Sequence, residues 1–349
     1  MLSPETLSQS QHVMTVCNAC RYCEAYCPVF QAMENRTSFA KGDILYLSNL
    51  CHNCGECLYA CQYAPPHEFG INVPRVLAEA RVESYEEFCW PAMMRPIFRR
   101  NARVIAWIVG SLFLAWVLRN LVQSWDPHGD FYAVMPHDDM VMLFGVTGMA
   151  MLVPIVVGVI RAVRAFGPAG GYRLHGLRDV LTLRHLHGSG EDCTSDIDVR
   201  TPWRRYFHHC TFYGFTLCTA STTVAAIYHL VGWRAPYALL SAPVILGTLG
   251  GVGLIVGPLG LLAQWRGRDT NLRDKSQSKM DVSFILMLVL TSATGLLLLA
   301  LRGQPSMPAL LVVHLGFVLA LFTTLPYGKF VHGIYRTIAL LKFAGEAHR

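Results

Sequence analysis

Beyond residue 100 the chain is punctuated by six apolar runs, at roughly 104–122, 140–160, 208–232, 237–263, 282–301 and 308–331. Each is near the about 20 residues that a helix needs to cross the hydrocarbon core. Pro154 in the second run, and Pro243 and Pro258 in the fourth, predict kinks rather than breaks, because neighbouring helices re-satisfy the freed backbone groups. The fourth run is Gly-rich (GTLGGVGLIVGPLG), which suits close helix packing. Residues 1–100 are mixed in composition. Within them, 74–88 (PRVLAEARVESYEEF) reads as an amphipathic helix with Pro in its first turn. The pattern predicts an all-α chain, with a helical domain over 1–100 and a six-helix transmembrane bundle over 101–349.

The polar connections give an orientation. Arg95, Arg99, Arg100 and Arg103 form a collar before the first run. Segment 161–207 carries Arg161, Arg164, Arg173, Arg178, Arg184, Arg200, Arg204 and Arg205, and segment 264–280 carries Arg266, Arg268, Arg273, Lys275 and Lys279. The other three connections hold one basic residue each, Arg119, Arg234 and Arg302. Lys and Arg mark the cytoplasmic side, so both termini are expected there, in a bacterial inner membrane. Segment 161–207 is long for a connection and suggests a docking role.

Composition agrees with the pattern. Apolar residues make up 53% of the 349, and charged residues 15%, where about 25% is usual in soluble domains. That excludes a disordered chain and argues against a single soluble globule. The net charge of +6 follows the topology and carries no sign of nucleic-acid binding.

Cysteine usage adds chemistry. Eight of the 12 cysteines fall in the first 61 residues. Residues 1–16 lack the basic and apolar regions of a secretory signal, so reduced, metal-binding thiols are expected. Cys17, Cys20, Cys23 and Cys27, then Pro28, follow the spacing C-x2-C-x2-C-x3-C-P; Cys51, Cys54, Cys57 and Cys61 repeat it, with Gln62 in place of the proline. This is the two-cluster ferredoxin pattern, in which the fourth cysteine of each run serves the other cluster. Cys17, Cys20, Cys23 and Cys61 are thus expected to hold one [4Fe–4S] cluster, and Cys51, Cys54, Cys57 and Cys27 the other. Paired structural zinc sites are the alternative, but they favour two short Cys pairs or Cys–His mixtures. Cys89, Cys193, Cys210 and Cys218 show no ligand spacing and read as packing residues.

Ionisable residues in membrane spans are functional candidates. The third run has His208 and His209 at its inner end and His229 near its outer end; the sixth has His314 and His332. On one continuous helix, His314 and His332 are 18 steps apart, five whole turns, and about 27 Å along the axis. They would share a face without sharing a ligand. Depth pairs His208 or His209 with His332, and His229 with His314, giving one or two haem b groups. His52, inside the second cysteine loop, is a candidate to tune that cluster. The remaining histidines lie in polar segments and read as surface or loop residues.

The stretches VCNACRYCEAYCPVFQAME and GDILYLSNLCHNCGECLYACQYAPPHEFGINVPRVLAEAR, followed by the multispan region, resemble the tricarballylate-utilisation protein B family, also called the CitB family. The resemblance spans essentially the whole chain. It implies a membrane protein with two [4Fe–4S] clusters and b-type haem, which reoxidises the reduced FAD of a partner dehydrogenase and passes the electrons to quinone. A fused relative implies a second role, serving a flavoprotein of cobalamin synthesis. A redox sensor and a transporter are rival readings, the latter weakened by spans with almost no acidic residues. No G-x-G-x-x-G junction, carboxylate pair or nucleophile triad points to an organic-substrate site in the chain itself. Tyr327, Lys329 and His332 are the inner-face candidates for contact with quinone.

Overall fold

A computed structural model describes residues 2–122, 131–168, 171–187, 193–196, 199–233, 235–272 and 274–347. His128, Arg234, Arg273 and His348 lie outside the described residues. The fold is all-α, as the sequence pattern requires. The first five helices are α1 (Pro4–Cys20), α2 (Pro28–Glu34), α3 (Lys41–Leu50), α4 (Glu56–Tyr59) and α5 (Val73–Phe88). Local chemistry sets their starts: Ser3 accepts a hydrogen bond from the Thr6 amide before Pro4, and Asn72 accepts one from the Arg75 amide beside Pro74. The amphipathic helix expected over 74–88 is α5.

The long helices follow: α6 (Pro96–Val122), the short α7 (Phe131–Val134), α8 (His137–Phe166), the short α9 (Gly176–Leu181), α10 (Trp203–Leu230), α11 (Ala242–Arg266), α12 (Lys275–Ala300) and α13 (Met307–Thr324). Strands β1 (Cys193–Asp196) and β2 (Val199–Thr201) form one short antiparallel pair between α9 and α10. Among the described residues, five helices are long and apolar enough to cross a membrane: α8, α10, α11, α12 and α13. The run expected at 104–122 lies on α6. Apolar side chains stay exposed along α8, with Met142, Val146 and Met149 each more than 60% accessible, a stripe suited to lipid contact.

Helices α8 and α11 continue unbroken past Pro154 and Pro258. Pro243 marks a start instead: α11 begins at Ala242, not 237, because proline fits the first turn, where no amide partner is needed. The last run also differs from expectation. Helix α13 ends at Thr324, a 3-10 turn follows over Leu325–Tyr327, and a separate helix α14 covers Val331–Glu346. Pro326 supplies no amide and Gly328 is extended, so the helix cannot continue to 331. The five-turn spacing between His314 and His332 therefore does not apply, because they sit on different helices.

The Gly-rich run packs as its composition suggests. A methyl group on Gly250 would stand 2.7 Å from Cys218 Sγ, and one on Gly257 2.5 Å from Thr211 Oγ1. Backbones of α10 and α11 thus meet through small residues, and Cys210 and Cys218 belong to that contact. The principal core joins the N-terminal helices to α14 and the end of α8. Phe88 meets Tyr335 edge-on at 5.1 Å and Phe166 at 5.8 Å, while Tyr46 lies 5.8 Å from Phe166. A buried polar knot pins the same elements. Arg36 binds Asp43 at 2.6 Å and Glu346 at 2.8 Å, Tyr46 donates to Glu346 at 3.1 Å, and Lys342 donates to the Phe166 carbonyl.

Candidate functional site

The two cysteine runs fold as a structural repeat. In each, the residue after the second cysteine takes the left-handed backbone conformation, Arg21 at φ 55° and Gly55 at φ 96°. This reversal lets the loop carry its third thiol back toward the first two. The fourth cysteine of each run receives two amides from the turn that follows it: those of Val29 and Phe30 reach the Cys27 sulfur, and those of Tyr63 and Ala64 the Cys61 sulfur. Such amides favour a thiolate over a thiol.

The thiols sort into two groups. Cys17, Cys20, Cys23 and Cys61 line one cavity of about 210 Å³, and Cys57 lines it too. Burial, then the charges of Cys61, Cys23 and Cys20, push the Cys17 thiol up to about 12. Around Cys57 the interacting thiols are mainly Cys54, Cys27 and Cys51, and with burial they hold it well above its ordinary value. Cys61 thus lies with the first run's thiols, and Cys27 among the thiols that act on Cys57. Among the described residues, no three Cys, His, Asp or Glu side chains converge on a single-ion site. Four thiols standing around a cavity suit a polynuclear cluster better than one zinc ion.

The surroundings of the two groups differ. Cys20 is exposed, and Tyr22 beside it is 67% accessible. Cys54 is buried, and with Cys51, His52 and Asn53 it borders a second cavity of about 630 Å³. This cavity reaches to His208 on α10 and His332 on α14, with Phe215, Phe284 and Phe330 among its walls.

The histidines also separate. His208 lines the cavity, whereas His209 stacks on Tyr213 at 5.8 Å. His332 Nδ1 lies 2.6 Å from the Lys329 carbonyl. A carbonyl only accepts, so Nδ1 donates and Nε2 keeps the lone pair, the usual orientation of a metal-ligating imidazole. Burial, then the Lys329 charge, push the His332 ring down to about 4, which keeps it neutral near pH 7. His208 and His332 thus stand on one cavity as the two imidazoles that could hold a haem there. The outer candidates have other neighbours. His229 stacks on His137 at 3.6 Å. His314 lies 3.2 Å from Thr294 Oγ1 and fills the notch left by Gly295, where a methyl group would come within 2.9 Å of its ring. Neither lines the large cavity.

Sequence reasoning missed the basic shell around the second loop. Arg204 donates to the His52 and Asn53 carbonyls at 2.8 and 2.9 Å, and Arg81 to those of Ser48 and Cys51 at 2.7 and 2.6 Å. Arg336 donates to Leu50 at 3.1 Å, and Arg268 to Asn53 Oδ1 at 2.8 Å and to the Asn53 carbonyl. Described residues of segment 161–207 pack against the chain itself: Arg161 donates to the Cys89 carbonyl at 2.6 Å, and His185 and Leu186 wall the cavity. Lys329 and Asp281 pair at 2.7 Å on the same cavity.

A ferredoxin-like thiol repeat set against a bundle of apolar helices defines a class: membrane-type proteins with an iron–sulfur electron-transfer role. Two family models place the chain more closely, "Citrate utilization protein B" over residues 100–349 and "Citrate utilization protein B Fer4-like domain" over residues 10–87. The curated "Citrate utilization protein B" of Escherichia coli is 48% identical over 99% of this chain and 94% of its own length. The chain belongs to the Citrate utilization protein B family. No solved structure matches it.

Proposed function

We propose that the chain carries single electrons from the reduced FAD of a dehydrogenase to quinone in the membrane, holding two [4Fe–4S] clusters and one haem b between those ends. By resemblance the dehydrogenase acts on tricarballylate. The observation that carries this reading is the cavity that borders Cys51 and Cys54 on one side and His208 and His332 on the other. When bound, the clusters and haem supply one-electron chemistry that no side chain of the protein offers.

The protein's own part is placement. Cys17, Cys20, Cys23 and Cys61 present the first cluster at the surface, where exposed Tyr22 and the half-exposed Phe69 offer an aromatic face to a flavoprotein. Cys27, Cys51, Cys54 and Cys57 hold the second deeper, against the histidine cavity. Burial against that cavity keeps His332 neutral. Lys329 and His332 line the same cavity and are the inner-face residues offered to a quinone head group, whereas Tyr327 is buried and donates to the Trp90 carbonyl. The Arg36–Glu346 pair holds the C-terminal helix on the N-terminal module, so both ends lie on one side of the bundle. The basic connections are what favour the cytoplasmic side for them.

Haem content tests the reading. His208→Ala and His332→Ala should each remove the haem spectrum from the purified full-length protein, and His209→Ala should leave it in place. Retained haem in His208→Ala and His332→Ala would refute the site. His314→Ala measures the outer pair: an unchanged haem-to-protein ratio is expected, and a halved ratio would establish a second haem.

A further inference from the structure

Four guanidinium groups from four places in the chain close on one short stretch of backbone. Arg81 comes from α5, Arg204 from the start of α10, Arg268 from the link after α11 and Arg336 from α14. Between them they reach the carbonyls of Ser48, Leu50, Cys51, His52 and Asn53, the loop that presents the second set of thiols. Among the described residues no such shell surrounds the first loop; Arg21 Nε donates to the nearby Asn18 carbonyl at 3.1 Å, on the exposed surface.

This asymmetry has a redox consequence. Reducing a cluster held by four thiolates adds negative charge to a site that is already negative. Burial alone makes that addition harder, so the deeper site would take electrons less readily than the exposed one. Arginine stays charged at all accessible pH. Four such charges around a buried loop act in the opposite direction, and the low dielectric that penalises burial also strengthens their effect.

We propose that Arg81, Arg204, Arg268 and Arg336 hold the second cluster at a higher reduction potential than the first, so that electrons entering at the exposed face move inward. This rests on the reading that the eight thiols hold two clusters. The arginines are positioning residues: they touch the loop backbone and act on the cluster through charge.

Redox titration of the full-length protein followed by electron paramagnetic resonance tests the proposal, with Cys27→Ala identifying the second cluster's signal. Iron and acid-labile sulfide per chain check the two-cluster reading separately; failure there sinks that reading before any potential is compared. In the unaltered protein the second cluster should be reduced first on lowering the potential. R336Q keeps a polar side chain but removes the charge. It should shift the one-electron equilibrium between the clusters toward the first by about tenfold, which is 59 mV. R336K, keeping the charge, should restore most of the shift. If R336Q fails to hold both clusters, R268Q gives the same readout from a residue outside the helical core. A first cluster that titrates above the second would overturn the proposal. So would glutamine and lysine variants with unchanged or equal potentials, which is what a merely structural clamp would give.

Discussion

The two cysteine loops share a spacing and a backbone reversal, yet they occupy opposite surroundings. The first opens to solvent beside Tyr22, with Cys20 exposed. The second is wrapped by Arg81, Arg204, Arg268 and Arg336 and borders the cavity of His208 and His332. Spacing decides which thiols can share a cluster. Packing decides which cluster faces outward and which faces the membrane helices. In the proposed function the direction of electron flow is therefore a property of the tertiary structure and is not encoded in the motif.

The largest expected effect separates the loops outright. Cys27→Ala should abolish the second cluster's resonance and leave the first, although Cys27 belongs to the first run; Cys61→Ala should do the reverse. Loss of each variant's own-run cluster instead would break the crossed assignment that the thiol groups support. Next in size is a stability effect confined to one side of the comparison. Helix α14 brings Arg336 to the second loop, and the buried Arg36–Glu346 pair fastens that helix. Removing one partner of a buried ion pair typically costs about 3–5 kcal/mol. Denaturant unfolding of Glu346→Ala should show a loss of that order, with the second cluster released before the first. The smallest effect is shared by both loops. In the first loop Cys17, Cys23 and Cys27 have thiols pushed up to about 12, and in the second Cys57 is held well above its ordinary value, so they keep their protons near pH 7 in the metal-free protein. Cluster loading must expel those protons; it is favoured as pH rises and weakens as pH falls, about tenfold per pH unit for each proton released. Reconstitution followed across pH should show this slope at both loops. A pH-independent loop would mean that its thiols are already ionised.

Much of this was legible in the chain. The repeated spacing of the eight thiols is read directly, and the helices follow from apolar runs that end in Arg, Lys or Pro. Other features required the folded molecule. His208 and His209 are adjacent in sequence, and only the rotation of α10 against its neighbours turns one to the cavity and the other to Tyr213. His332 looked continuous with His314 because the run stays apolar, but Pro326 and Gly328 end the helix, and a turn re-aims His332 toward the second loop. Arg204 and Arg268 read correctly as basic residues at helix ends. Their hydrogen bonds to a loop about 150 and 215 residues away in sequence leave no local periodic trace.

The most direct measurement is the rate at which haem in the full-length protein is reduced by a reduced flavin, compared between the unaltered chain and Cys27→Ala. If the second cluster stands between the surface and the histidine cavity, losing it should slow haem reduction by orders of magnitude while the first cluster still accepts electrons. Haem reduction at an unchanged rate would contradict the account.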